Sequence, residues 1–368
     1  MTTAVQRALV RFKQLSCLGL GGAAVMPALI REMHIIVPSL RNMFFFAKPD
    51  GTLDHIYTES MEYAAITQLF VTEFNGRKDR DYPGFRFEVA LKTQVGVHDL
   101  TRLGIDLNAF GRSEFYNECF RPVGRGKDYI RMVMRDQGQG VGMLTTFREP
   151  RDSHFSQIEK DRLASLEPFF VHAIRGRRME ETELVDSGAN GLIVADVEGK
   201  LLYASAAGRE LLLRVTHPKM AVDAGPVRRD ALPEPVRNIC RTLGRIMAGD
   251  DARTSPAYHH RNLWGGFTFR ANLLRGEAQG ARVVGITVTH QEPAGVKLVK
   301  RIGELPLSRR QSEICFELAQ GSHYDVVSQK LGISRHTAIA HSRTIYDKLG
   351  VHNRAELRNR LLAASAAP

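Results

Sequence analysis

Cysteine is scarce: Cys17, Cys119, Cys240 and Cys315 are widely spread and form no CxxC pair. That excludes a disulfide framework and a zinc cluster, and it suits a reducing compartment, so a cytoplasmic location is expected. Long apolar runs are missing too. No window approaches the roughly 18 unbroken apolar residues of a membrane-spanning helix. The apolar stretch near Leu18–Ile36 is interrupted by Arg31, Glu32 and His34 and lacks the basic start and cleavage site of a secretory signal. No membrane partner is expected. Catalytic signatures are also absent, with no HExxH, GxSxG or GxxxxGK[ST] pattern and no kinase or cyclase signature. His34, His98, His154 and His172 stand singly, without the cadence of metal ligands. The chain therefore reads as a non-enzyme with no catalytic residues, no metal and no cofactor.

What is there is ordinary in composition and skewed in charge. The 368 residues are 43% hydrophobic and 25% charged, as in folded proteins and unlike disordered or collagen-like chains. At roughly 150 residues per domain that length gives two to three domains. Lys and Arg number 51 against 40 Asp and Glu, a net charge of +11 with a pI near 9.7. A basic excess favours a polyanionic partner, but its location has to decide which.

Three blocks are expected: two α+β domains over residues 1–178 and 179–295, and an all-α four-helix domain over 301–368. In the first block, helical spacing over Thr2–Leu15 and Ala23–Val37 precedes a Phe-rich run, Arg41–Ala47. Pro49-Asp50-Gly51 then links that run to Thr52–Thr58, a hairpin signal. A second strand pair, Tyr129–Met134 and Gly142–Phe147, flanks a glycine-rich segment, and one helix is predicted over Ser156–Ile174. A charged helical connector follows near Arg175–Glu181. In the second block the order is strand (Gly191–Asp196), strand (Lys200–Ala204), helices (Ala206–Leu213 and Pro233–Met247), strand (Gly266–Leu274), loop (Gly276–Gly280) and strand (Arg282–His290). Pro293–Gly295 and the basic run Lys297–Arg301 read as a linker.

The last block carries the function. Ser308 with Gln311 three residues on is a capping box. The helix it opens stops at Gly321, and a short helix over His323–Leu331 follows. Gly332-Ile333-Ser334 is a tight turn whose serine caps a third helix, Arg335–Leu349; Asn353 with Glu356 caps a fourth. Two short helices joined through Gly332 match a helix-turn-helix, whose second helix enters the major groove of DNA. Ala338, Ile345 and Leu349 can face the core, leaving His336, Ile339, Ala340 and Arg343 on the other side with Arg335 at the positive helix end. Over 301–368, ten Arg and Lys against six Asp and Glu leave an excess of four positive charges to pair with phosphates.

Leu307-Ser-Arg-Arg310, Glu313-Ile314, Leu318-Ala-Gln-Gly321, Leu331-Gly-Ile-Ser334, Thr337, His341, Lys348-Leu-Gly-Val351, Arg354 and Glu356-Leu357 resemble the LuxR/NarL-type DNA-binding domain. The resemblance covers about sixty residues. It implies that the third helix reads DNA through Ile339, Ala340 and Arg343, with Thr337 near a phosphate, and that the fourth contributes to dimerisation. Arg335, His336 and Lys348 complete the expected contact set. Three positions depart from the family: Asp325 stands where a basic or polar residue is usual, Ser328 replaces an Ala and Ala338 a Val.

Gly191-Leu-Ile-Val-Ala-Asp196, Gly199-Lys-Leu-Leu-Tyr203 and Ala206–Leu212 are similar to a PAS domain, with Ser205 where Asn is common. The first block is similar to a GAF-type sensor through Pro49-Asp-Gly51, Gly142-Met-Leu144 and Phe155-Ser156. That likeness implies a small-molecule pocket or a dimerisation platform. Phe44, Phe46, Tyr57, Tyr116 and Cys119 are its candidate lining residues, with plain aromatic core as their other reading. A phosphoreceiver block is excluded by the order of acidic residues. A lactone-binding LuxR protein is excluded by length and by the single tryptophan, Trp264.

The expected function is a transcriptional regulator: a GAF-like and a PAS-like module controlling a C-terminal helix-turn-helix. The expected partners are double-stranded DNA, a second copy of the chain and a small-molecule effector. Two alternatives are a protein-interaction regulator with a degenerate DNA-binding domain and a ligand-binding sensor acting without sequence-specific DNA binding.

Overall fold

The structure is a computed structural model and describes residues 3–59, 61–75, 86–123, 128–149, 151–176, 182–219, 232–249, 257–275 and 282–363. The connector at 177–181 and the loop at 276–281 lie outside them.

The first body is a five-stranded antiparallel sheet between two helical layers. Its strands are β1 (Arg41–Ala47), β2 (Leu53–Thr58), β3 (Gly96–Asp99), β4 (Tyr129–Asp136) and β5 (Gln139–Phe147), in spatial order β2-β1-β5-β4-β3. Burial on both faces explains why β1 and β4 are almost continuously apolar rather than alternating. The period of two still sorts the side chains. Phe44 and Phe46 point to the layer made by α1 (Thr3–Ser16), α2 (Gly22–Ile36) and α8 (Glu167–Ile174), where Phe44 stacks on Phe170 at 5.6 Å. Met43 and Phe45 point to the opposite layer, α3 (Met61–Leu69), α4 (Phe87–Thr93), α5 (Leu107–Arg112) and α6 (Glu114–Cys119). Arg11 of α1 donates from Nε and Nη2 to the buried Glu32 carboxylate of α2 at 2.9 and 2.7 Å, satisfying a charge that burial would otherwise penalise.

Several sequence expectations are adjusted here. The helix predicted over Ser156–Ile174 is two, α7 (Gln157–Ser165) and α8, because Pro168 has no amide hydrogen to carry the ladder through. The glycine-rich segment between β4 and β5 closes in a tight turn, with Gln137 and Gly138 at φ 47° and 83°, as the twist of two adjoining strands demands. Strand β3 and helices α3–α6 were not predicted.

The second body repeats the antiparallel plan with one face covered. Strands β6 (Leu184–Asp196), β7 (Leu201–Ala204), β8 (Ala257–Asn262), β9 (Gly265–Arg275) and β10 (Arg282–Pro293) order as β7-β6-β10-β9-β8, β8 being an addition to the expected set. In β10, Ile286, Val288 and His290 turn inward while Thr287, Thr289 and Gln291 turn outward. Helices α9 (Ala206–Thr216) and α10 (Glu234–Met247) pack against the sheet. A Cβ on Gly191 would lie 2.3 Å from the Gly208 Cα, so α9 approaches β6 only because both positions lack side chains. The two bodies share a core: Tyr57 of β2 meets Trp264 beside β9, ring centroids 5.3 Å apart.

The basic run expected to be a linker is a helix, α11 (Ala294–Gly303). Its Val296 and Val299 belong to the core of the amino-terminal bodies, and Leu298 and Ile302 to the core of the carboxy-terminal one. Four more helices follow among the described residues: α12 (Arg309–Ala319), α13 (Tyr324–Leu331), α14 (Arg335–Leu349) and α15 (Arg354–Leu362). Among the described residues, no helix is long and apolar enough to cross a membrane.

Candidate nucleic-acid interface

The local chemistry of the last block sets the angle between its helices. Ser308 Oγ accepts the Gln311 amide while Gln311 Oε1 accepts the Ser308 amide, closing the box that starts α12. Gly332 ends α13 in the left-handed region at φ 60°, and Ser334 Oγ then accepts the Thr337 amide at 3.0 Å to start α14. Within α14, Ala338, Ser342, Ile345 and Leu349 are buried against α12 and α13. The Tyr324 and Ser342 hydroxyls meet at 3.0 Å, so the one polar side chain on that buried face has a partner.

The other face of α14 presents His336, Ala340, Arg343 and Thr344, all exposed, with Thr337 and Ile339 half-buried beside them. Most cations of this body are committed within it. Arg309 and Arg310 pair with Glu313, and Lys330 pairs with Glu317. Arg310 also donates to the Leu331 carbonyl, Arg354 to Ser322 and Arg358 to Ala319, each near a helix end where carbonyls lack helical partners. Lys348, expected at DNA, donates to the Pro306 carbonyl at 3.1 Å and to Gln311 Oε1 at 3.0 Å, which ties the end of α14 to the start of α12. Arg335 is held by Asp325, Nε to Oδ1 3.0 Å. Arg343 has neither ion pair nor hydrogen bond among the described residues.

The Arg335–Asp325 pair was not legible in the sequence, although Asp325 was noted there as a departure from the family. It sits in the first turn of α13 and masks a cation at the amino end of α14. Asp325→Asn is therefore expected to tighten DNA binding about threefold at low salt, with the gain fading as salt screens it. Equal affinities for variant and parent across a salt titration would show that the pair has no bearing on binding.

The five candidate lining residues in the first body do not meet in one space. Phe44, Phe46 and Tyr57 lie on the face toward α1, α2 and α8, and Cys119 and Tyr116 on the face toward α3–α6. Cys119 borders a cavity of about 40 Å³ with Met43, Phe45, Phe115, Thr145 and Phe147, room for little more than water. Among the described residues, no cluster of three His, Cys, Asp or Glu side chains could hold a metal ion.

No curated protein matches the chain significantly. Among solved structures it is similar to a Vibrio cholerae VqmA dimer, described as a LuxR-type receptor without target DNA, at 18% identity and a TM-score of 0.17, over 46% of this chain and 80% of that one. A phage VqmA–DPO complex gives 18% and 0.17 over 49% and 85%, and the E. coli DhaR(N)–DhaL complex 11% and 0.20 over 79% and 90%. Scores this low establish no common overall fold. The family comparison is specific: residues 305–360 match the bacterial regulatory proteins of the luxR family. That stretch runs from just past α11 into α15 and contains the Ser308, Ser334 and Asn353 caps, the Gly332 turn and the whole of α14. Residues 305–360 are thus a luxR-family helix-turn-helix domain, mounted on two antiparallel α+β bodies.

Proposed function

We propose that the chain is a transcriptional regulator that is not an enzyme, in which the amino-terminal bodies control how α14 engages double-stranded DNA. The observation that carries this is the division of α14: one face buried, the other exposed and bearing Arg343 with no partner among the described residues. An outward helix of that kind fits the major groove, where a guanidinium can reach a guanine edge or a phosphate. Arg335, His336, Thr337, Ile339 and Ala340 complete the contact surface, and Ile339 and Ala340 suit thymine methyl groups. Lys348 supports the domain from within and adds to its positive field.

In this reading the first body is a GAF-like sensor, the second is PAS-like, and the regulator acts in the cytoplasm as a homodimer. Two of the VqmA structures are bound to DPO. That ligand comes to this chain only as an example of small-molecule control, since the structural likeness is too low to transfer a pocket. The test is selection of bound fragments from a genomic library by the purified full-length protein, in parallel with a chain ending at Leu305. Enrichment of discrete sites that depends on residues 306–368 is the expected result. Binding that does not distinguish any fragment from heparin at moderate salt refutes the reading.

A further inference from the structure

A cavity of about 510 Å³ lies where three parts of the molecule meet: α2 and β2 of the first body, α9, Trp264 and His290 of the second, and α11. That volume is in the range of sites for small organic ligands. Its wall is unusually rich in charge, with Arg31, Arg214, Lys297, Lys300 and Arg301 facing Glu59, Glu210, Glu292 and Glu304.

Most of these charges already answer one another. Arg214 pairs with Glu210 at 2.7 Å, Arg301 with Glu304 at 3.0 Å, His34 with Glu59 at 2.6 Å, and Lys300 with Glu292. Two cations are left over. Arg31 has no acidic partner among the described residues, and the buried Lys297 ammonium reaches only the Asp186 carbonyl, at 2.6 Å. Burial, and beyond the opposing pull of Glu292 the charges of Arg31 and Arg214, hold the Lys300 ammonium below its usual range, as converging cations should. Tyr57 and Trp264 supply an aromatic wall beside them. A cavity with surplus positive charge and an apolar side is built for an anion with a carbon skeleton.

We infer that this cavity is the effector site, and that it takes a small organic anion, a carboxylate or phosphate ester, held by Arg31 and Lys297 against the Tyr57–Trp264 wall. The inference rests on the reading of the chain as a regulator and deepens it. Lys297, Lys300 and Arg301 all stand on α11, whose Leu298 and Ile302 are core residues of the DNA-binding body. An anion drawn to those side chains would favour one seating of α11 over another. It would shift DNA binding by its differential affinity for the two seatings and by nothing else.

Trp264 is the only tryptophan, so the site carries its own reporter. The test titrates the full-length protein with phenylphosphate, benzoate and citrate at constant ionic strength, reading Trp264 emission, with phenethylamine as a cationic control of similar size. Saturable change with at least one anion and none with the amine is expected, together with about tenfold weaker binding in Arg31→Gln. Arg31 is exposed and makes no ion pair, so its replacement should leave the fold intact, which circular dichroism checks. No saturable response to any of the three anions, or the same curves in Arg31→Gln, overturns the inference. DNA binding by the same preparations is measured alongside: if it persists without an anion response, the effector site alone falls, whereas its absence in the parent protein removes the regulator reading itself.

Discussion

Arg343→Ala is expected to lose about 1–3 kcal/mol of operator binding if the guanidinium reads a guanine edge, a weakening of roughly five- to 150-fold. The loss would then concentrate on sites keeping that base. If Arg343 meets a phosphate instead, the weakening would be similar on every sequence, and the slope of log affinity against log salt would fall by about one. Fluorescence anisotropy on a selected operator and a scrambled duplex, each at several salt concentrations, separates the two. The side chain is exposed while Ala338, Ser342, Ile345 and Leu349 hold the helix from behind, so stability should be unchanged. Parent-like affinity and salt slope in the variant would remove Arg343 from the interface.

The second large effect concerns His290, on β10 at the cavity wall. Burial pushes its pKa down to about 4 from 6.5; the Arg214 and Lys300 charges push the same way, against the hydrogen bond to the Trp264 carbonyl and the Asp186 charge. Its Nε2 donates to Trp264 O at 2.9 Å, and Nδ1 lies 3.0 Å from Ser187 Oγ, which itself donates to the His290 carbonyl. The unfolded chain protonates this histidine below about pH 6.5 while the folded chain resists until about pH 4. The unfolded state therefore binds more protons in that window. Stability is full above it and declines as pH falls, by at most about 3 kcal/mol from this residue. Denaturant unfolding at neutral pH and near pH 5 should show the decline in the parent and a distinctly shallower one in His290→Gln, whose amide can still donate to Trp264 O. Equal declines in both proteins would assign the acid sensitivity to other groups.

What could be read from the residues was what neighbours in sequence decide. Ser308 with Gln311, Ser334 before Thr337, and the glycines at 332 and 350 fix the helices of the last body through contacts a few residues apart. The Pro49-Asp50-Gly51 turn fixed β1 against β2 in the same way. Elements whose reason lies elsewhere in the chain were missed. Strand β3 is four residues long and pairs with β4 alone, so it carries too few side chains to show a period. Strand β8 reads His259-His260-Arg261, an edge half open to solvent with no apolar alternation. The cavity beside α11 draws on residues from Ala24 to Glu304, and only the tertiary fold brings Arg31, Trp264 and Lys297 to one place. Helix α11 hid behind its own lysines: Lys297 looked like a solvated linker charge and is buried against the Asp186 carbonyl.

That helix has a further consequence. Because Val296 and Val299 serve one interior and Leu298 and Ile302 another, α11 is an axle with teeth on both sides, not a tether. Heads and tail of such a molecule cannot be exchanged between relatives by joining at a convenient proline or glycine. The axle has to travel with one half, and the other must be recut to mesh with it.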